Sequence, residues 1–239
     1  MTRDHDDFVR FIKSYWGYYR ELEEEFVATR KYVDFQRDNF GTYSVEFLKL
    51  YQAVCSEIDV IGKEMAYKIN NVFKPEDTQN NIIKWWFEIQ NALLYKEDYI
   101  DIVSAGSLFR DVHVRMLDEF DLCPWEGFET EQYHDSRNSL RYRTKDSKGS
   151  PKWWSAYNKV KHSRTYKIDK NSAKSNYTRA NLGNVCYAFA ALYILEKAYM
   201  QSIGTKNDLE RFSDFSILFD KIEGITSDDI DAMFAETME

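Results

Sequence analysis

The residues best suited to chemistry lie together in one short stretch, WWSAYNKVKHSR, residues 153–164. A helix turns by about 100° per residue, so Trp154, Asn158 and His162 share one line along its surface, with Lys161 beside it. We therefore predict that His162 points away from the apolar face of this helix and that Trp154 is exposed next to it. The apolar face is formed by Trp153, Ala156, Tyr157 and Val160.

These side chains suit the chemistry of phosphates. An imidazole, with a reference pKa of about 6.5, takes or gives a proton near neutral pH, as cleavage of RNA through its own 2′-hydroxyl requires. We expect His162 to be the acid or base and Asn158 to orient the ring or a phosphate oxygen, while Lys161 and Arg164 neutralise the phosphate. Such a site needs neither a metal nor a cofactor. A structural role for a single helical histidine stays open.

The stretch lies in the most basic part of the chain. The formal net charge of the protein is −8, yet residues 137–179 carry thirteen Lys or Arg against Asp146 and Asp169, a local balance of +11. Such asymmetry indicates an anion-binding region, or a segment that docks on the acidic remainder of its own chain. Aromatic rings are interleaved with these cations, as stacking of unpaired bases requires: Tyr142, Trp153, Trp154, Tyr166 and Tyr177. We expect the RNA contacts to include Arg141, Arg143, Trp154, Lys159, Lys161 and Arg164.

Periodicity predicts an all-α helical bundle made of a single helical domain, 1–239. With 9 Gly and 3 Pro, the chain lacks the turns that many short strands need, and its apolar residues recur at helical intervals. A helix is predicted from Asp7 to about Gln36, and a second from Val45, so that 7–72 forms an antiparallel hairpin. A third helix follows residue 77, and its tryptophans, Trp85 and Trp86, are expected to be buried.

The rest of the chain divides into a middle part and two helical parts. The middle part, 77–150, is ambiguous: a small β element is possible around 99–125, and residues 136–151 are expected to be an exposed connection. Helices are predicted within 151–203, the first starting at Pro151 after Ser150 and the last, from Ala180, lying centrally. Tail helices are predicted over 208–238, the last capped by Ser227.

The basic stretch and the helix after it resemble a known family. The pattern Trp-x-x-Tyr-Asn-x-x-Lys-His-x-Arg, followed after a polar loop by ANLGNVCYAFAALYIL, resembles the C-terminal helices of HEPN-like proteins over Ser147 to Met200. Many members of that superfamily are metal-independent ribonucleases of toxin–antitoxin, CRISPR and abortive-infection systems. Their motif is an Arg, four to six residues, then a His, in a site composed across a homodimer. Here Asn158 and His162 match, whereas Tyr157 stands where the Arg is expected.

Two functions follow. One is an HEPN-like RNA- or nucleotide-binding protein, with metal-independent ribonuclease activity in a prokaryotic defence or toxin–antitoxin system left open; a homodimer and single-stranded RNA are its expected partners. The other is a noncatalytic helical module for dimerisation or protein interaction. The sequence shows no signal peptide and no membrane span, and its three cysteines have no metal-ligand spacing, so a cytoplasmic protein is expected. Cys55 and Cys186 are expected to be buried thiols.

Overall fold

Helices make up most of the structure, and two small antiparallel sheets complete it. The computed structural model describes residues 4–77, 79–91, 112–117, 119–145 and 149–223. Its helices are α1 (His5–Phe11), α2 (Gly17–Ala28), α3 (Val45–Ile69), α4 (Ile82–Asn91), α5 (Lys152–Ser163), α6 (Leu182–Ile203) and α7 (Lys206–Arg211). Its strands are β1 (His113–Met116), β2 (Phe120–Leu122), β3 (Thr130–His134), β4 (Leu140–Thr144) and β5 (Phe219–Glu223).

The first two helices form one continuous rod. A π-helical turn, Ile12–Trp16, joins α1 to α2, and a 3₁₀ turn, Thr29–Lys31, ends the rod about five residues before the predicted end. The hydroxyl of Thr29 donates to the Phe26 carbonyl at 2.7 Å, which is the bond that favours this early end.

The rod and α3 run antiparallel, as predicted. The end of α2 meets the start of α3 through Glu25 and Lys49, 2.9 Å apart, and the start of α1 meets the end of α3 through Asp7 and Lys68. Helix α3 begins where the Ser44 hydroxyl accepts the backbone N–H of Phe47 at 3.0 Å.

Helix α4 is anchored by its two tryptophans, both fully buried as predicted. Trp85 packs against Gly62 of α3, where an added Cβ would lie 2.7 Å from the indole. Trp86 stacks on Trp125 with ring centroids 4.4 Å apart. A larger residue at position 62 would therefore push the two helices apart.

The hairpin of β3 and β4 corrects the expectation of an exposed connection over 136–151. Its two strands form five residue pairs, from Thr130 with Thr144 to His134 with Leu140. The Asp135 carboxylate accepts the backbone N–H groups of Arg137 and Ser139, both at 2.9 Å, and this closes the turn. The strand was missed because its solvent-facing side chains are basic and gave no apolar alternation.

The second sheet has the order β2-β1-β5, all antiparallel. Strands β1 and β2 confirm a β element within 99–125. Strand β5 contradicts a purely helical tail over 208–238, since 219–223 pair with β1 and bury Phe219. The helix expected at the end of the tail, with Ser227, and residues 99–111 lie outside the described residues.

The lead-in to β5 is tied to the rod by one buried carboxylate. Glu23 is fully buried and accepts the Tyr19 hydroxyl at 2.7 Å and the backbone N–H groups of Ile217 and Leu218, each at 3.1 Å. The Ser216 hydroxyl and the Arg20 guanidinium also donate to it. These bonds explain why the chain turns back onto α2 before it enters the sheet.

Helix α6 is the central element, as predicted, and nearly all of its residues are buried. Phe189 stacks on Phe26 of α2 at 4.7 Å, and Gly183 lets the Phe40 ring approach closely. Cys55 and Cys186 are fully buried, as predicted, and burial raises the pKa of both thiols. None of the described helices is both long enough and apolar enough to span a bilayer.

Candidate functional site

Helix α5 is held by its apolar face, as its sequence pattern predicts. Trp153, Tyr157 and Val160 are buried. The Trp153 indole N–H donates to the Pro124 carbonyl at 2.7 Å, and the Tyr51 hydroxyl of α3 donates to the Trp153 carbonyl. The first half of α5 is therefore fixed, and this sets the direction of every side chain on its second half.

The polar line of α5 faces solvent at its C-terminal end. His162 is exposed and Asn158 is half-buried, one turn earlier on the same face. Neither side chain makes a hydrogen bond with any described residue. Lys159 and Lys161 are also exposed. An imidazole, an amide and two ammonium groups are thus available together to a ligand.

Trp154 does not belong to this surface. Its side chain is 6% exposed and packs on Trp153 and Tyr157, with ring centroids 5.7 and 5.2 Å apart. The expectation of an exposed Trp154 is wrong because α5 is covered on several sides, by α3, α6 and the 3₁₀ turn Asn176–Arg179. A single apolar stripe underestimates how much of such a helix is buried.

The loop after α5 returns to cap the helix. Asn176, 4% exposed, donates its amide N–H to the Ser163 carbonyl at 2.9 Å, and the backbone N–H of Tyr177 donates to the Arg164 carbonyl at 3.0 Å. Arg179 donates its Nε–H to the Asn176 amide oxygen at 2.9 Å. The hydrogen bonds to the Ser163 and Arg164 carbonyls, together with the Asn176 amide, therefore hold Arg164 and Arg179 next to the end of α5.

Arg164 has the least satisfied guanidinium of the site. Its side chain is half-buried, and its Nε is buried without a hydrogen-bond acceptor among the described residues. A buried N–H without an acceptor costs about 1–3 kcal/mol. Such a group is explained when an anion or water supplies the missing oxygen.

The cations around Arg164 share its lack of acidic partners. Residues 152–179 carry eight Lys or Arg and one acid, Asp169, and within the described part of the chain none of the eight forms an ion pair. We call this set the basic surface: Lys152, Lys159, Lys161, Arg164, Lys167, Lys170, Lys174 and Arg179. The Lys161 ammonium lies 5.6 Å from the centre of the Tyr157 ring, and it opposes the rise of the Cys55 pKa that burial causes.

Arg141 and Arg143 are arranged differently from the cations of the basic surface. Both are on β4 and pair with acids of their own hairpin, Arg141 with Asp135 at 3.0 Å and Arg143 with Glu131 at 2.7 Å. Two backbone N–H groups and Arg141 hold the pKa of Asp135 below its usual value, so this partner stays ionised. The structure therefore does not bring these two arginines to the α5 surface as unpaired cations.

The position where the family motif has an arginine contributes no charge. Tyr157 is 5% exposed, its ring lies 5.9 Å from that of Tyr51, and burial raises its pKa to about 12. It is a neutral core residue at physiological pH. Any cation that acts with His162 must therefore come from the basic surface or from another molecule.

The predicted stacking residues divide into buried and exposed groups. Trp153 is buried and Tyr142 packs against Phe87 of α4, whereas Tyr166 is 71% exposed beside the basic surface. Sequence reasoning missed Asn176, whose capping role depends on a long-range return of the chain. It also missed Tyr43, which contacts Tyr177 from more than a hundred residues away.

No group of three His, Cys, Asp or Glu side chains in the described residues is arranged to hold a metal ion. Comparison with models of known families, with curated proteins and with solved structures found no match. The site must therefore be interpreted from its own geometry and charges.

Proposed function

We propose that the protein is an HEPN-like RNA-binding protein and that the basic surface holds the phosphates. The observation that carries this proposal is the set of eight cations that form no ion pair with a described residue, among them Arg164, whose buried Nε lacks an acceptor in the described part of the chain. Cationic side chains that have no acidic partners repel one another. An excess of them in one segment of an acidic protein therefore favours an anionic ligand. A phosphate backbone supplies regularly spaced negative charges of the kind that this surface matches.

We expect His162 and Asn158 to contact a phosphodiester that is bound to the basic surface. An exposed imidazole beside two ammonium groups is suited to proton transfer at a 2′-hydroxyl, with Asn158 orienting the ring or an oxygen. The family motif has an arginine where this chain has the buried Tyr157, so this position supplies no cation. We therefore propose phosphate binding as the primary activity, with metal-independent cleavage as an additional capacity that His162 would provide.

The binding proposal is tested by salt dependence. Affinity for a fluorescent single-stranded oligouridylate should fall steeply as salt rises, because binding releases the counterions of the RNA. Lys161→Ala should weaken binding and reduce the magnitude of the slope of log K against log salt by about 1. Lys206→Ala is the matched control, since that ammonium is 87% exposed on α7, outside the basic surface, and its removal should change neither quantity.

The opposite outcome would favour a protein-interaction module. If the oligouridylate does not bind in low salt, or if Lys161→Ala and Lys206→Ala behave alike, the basic surface does not hold RNA. A change in sedimentation coefficient on Lys161→Ala, without any change in RNA binding, would instead support a role of this surface in dimerisation.

A further inference from the structure

Tyr43 lies in the connection between α2 and α3, yet its ring contacts Tyr177, which lies in the segment that carries the basic surface. Its centroid is 5.7 Å from that of Tyr177, with the two rings at 86°. The backbone there is fixed, because Tyr43 forms a β-bridge with Asn181 and the Thr42 carbonyl accepts the Leu182 N–H at 2.8 Å. The ring is therefore presented on a rigid support at the start of α6.

These tyrosines adjoin the unpaired cations through the backbone. The N–H of Tyr177 donates to the Arg164 carbonyl, and the N–H of Asn176 donates to the Tyr166 carbonyl at 2.8 Å. Tyr43 is 44% exposed and Tyr166 is 71% exposed. In proteins that bind single-stranded nucleic acids, exposed aromatic rings beside cations bind the unpaired bases.

We propose that Tyr43 and Tyr177 form a ledge on which an unpaired base of the RNA stacks. This inference rests on the proposed function and adds a second kind of contact: at least one unpaired base of the RNA is turned onto the ledge. A duplex keeps its bases stacked on one another, so it offers the ledge no free base face except at its ends. Tyr43 is then a binding residue contributed by a distant part of the chain.

A second copy of the protein suits the ledge less well than RNA does. Contact between two copies through this face would bring two sets of eight unpaired cations together, and like charges brought together oppose association. A nucleic acid has the complementary charge. The ledge and the basic surface therefore favour the same occupant.

The test compares three fluorescent ligands of equal length: single-stranded oligouridylate, the oligoadenylate–oligouridylate duplex, and an abasic ribose phosphate strand. Wild-type protein should bind the single strand most tightly. Tyr43→Ala should weaken binding of the single strand by roughly 10-fold or more and leave the salt slope unchanged, because stacking releases no counterions. It should leave binding of the abasic strand unchanged. Tyr43→Phe keeps the ring and should bind like wild type, which separates stacking from loss of the hydroxyl.

Failure of the ledge and failure of the proposed function give different results. If wild type binds the single strand, the duplex and the abasic strand equally, and Tyr43→Ala matches it, the basic surface holds phosphates but the ledge is refuted. If wild type binds none of the three, the proposed function itself fails. Thermal melting of both variants shows whether they are folded, and a folded Tyr43→Ala that changes only the sedimentation coefficient would assign the ledge to a protein contact instead.

Discussion

At the scale of single residues, two buried glutamates differ in whether hydrogen-bond donors surround the carboxyl group. Glu23 is buried with five donors around it, whereas Glu196, also fully buried on α6, has no hydrogen-bond partner for either carboxylate oxygen among the described residues. Desolvation raises the pKa of Glu196 well above its usual value, and Glu57 of α3 raises it further. We infer that Glu196 is protonated in the folded protein at moderately acidic pH.

This protonation makes stability depend on pH. The unfolded chain releases the Glu196 proton above about pH 4.3, whereas the folded protein retains it, so the stability of the wild type should fall as pH rises between the unfolded and folded pKa values. Glu196→Gln is neutral at every pH, so its free energy of unfolding relative to that of the wild type should increase as pH rises above the unfolded-state pKa. Urea denaturation at a series of pH values measures this difference.

The control for Glu196 is an exposed glutamate. Glu24→Gln removes a solvated carboxylate of α2 and should give a difference that varies little with pH. Two titratable groups interact with Glu196: Glu57, and Tyr15, whose pKa burial raises to about 12. A Glu196→Gln difference that stays constant across the pH series would mean that the carboxyl is not protonated in the folded state.

At the scale of elements, the sheet of β2, β1 and β5 depends on a contact that lies outside it. Residues 216–218, which directly precede β5, donate hydrogen bonds to Glu23 on α2. Edge strands that are held by ladder bonds alone exchange readily with solvent, so a buried anchor is the element that positions β5.

Loss of that anchor should cost stability. Glu23→Ala leaves two backbone N–H groups, the Tyr19 hydroxyl and the Arg20 guanidinium without their acceptor, and we expect a loss of about 3 kcal/mol or more in the free energy of unfolding. Amide hydrogen exchange should also accelerate at Ile217 and Leu218 more than in the middle of α6. Glu24→Ala, one residue along the same helix and exposed, should change stability by less than about 0.5 kcal/mol. Equal effects of the two substitutions would contradict the anchor.

At the scale of the whole molecule, charge is segregated. The chain carries a net −8, while residues 152–179 present eight cations without ion pairs among the described residues. The three hairpin cations nearest to them in sequence, Arg141, Arg143 and Lys145, pair with acids of their own hairpin. Within the described part of the chain, the positive charge of the basic surface is therefore not neutralised by ion pairs.

The proposed cleavage needs a cation from another position, because Tyr157 is a buried, neutral side chain. If the basic surface or a second copy supplies that cation, purified protein should cleave single-stranded RNA in EDTA, and His162→Ala should reduce the rate by roughly 100-fold or more. Lys206→Ala should cleave like wild type. Cleavage that His162→Ala leaves undiminished would show that the imidazole takes no part, while RNA binding by an inactive wild type would leave the basic surface as a binding site alone.

Much of the fold was predictable because helical periodicity is a local property. The spacing of apolar residues in α3, α4 and α6 determines which helix faces are apolar. The burial of Trp85, Trp86, Cys55 and Cys186 was predicted from that spacing. The hairpin of β3 and β4 was not predictable in this way. The register of its two strands is set by a turn at Asp135 and by cross-strand ion pairs. Because the hairpin is exposed, its sequence has no apolar alternation that would indicate strands.

The candidate site was predicted in part for the same reason. The positions of Asn158, Lys161 and His162 on the outer face of α5 follow from helix geometry, and the structure has Lys161 and His162 exposed and Asn158 half-buried. The exposure of Trp154 was predicted wrongly, because what covers a helix depends on elements far away in sequence. For the same reason, no local pattern pointed to Tyr43.

By itself, the sequence determined the helices, the apolar faces and the local excess of positive charge, since spacing and composition act over a few turns of chain. Tertiary structure alone decided which of those charges are neutralised, because an ion pair depends on which side chains the fold brings within a few ångströms. It pairs Arg143 with Glu131, and among the described residues it leaves the Arg164 Nε without an acceptor. The same long-range packing buries Trp154 and brings Tyr43 to Tyr177.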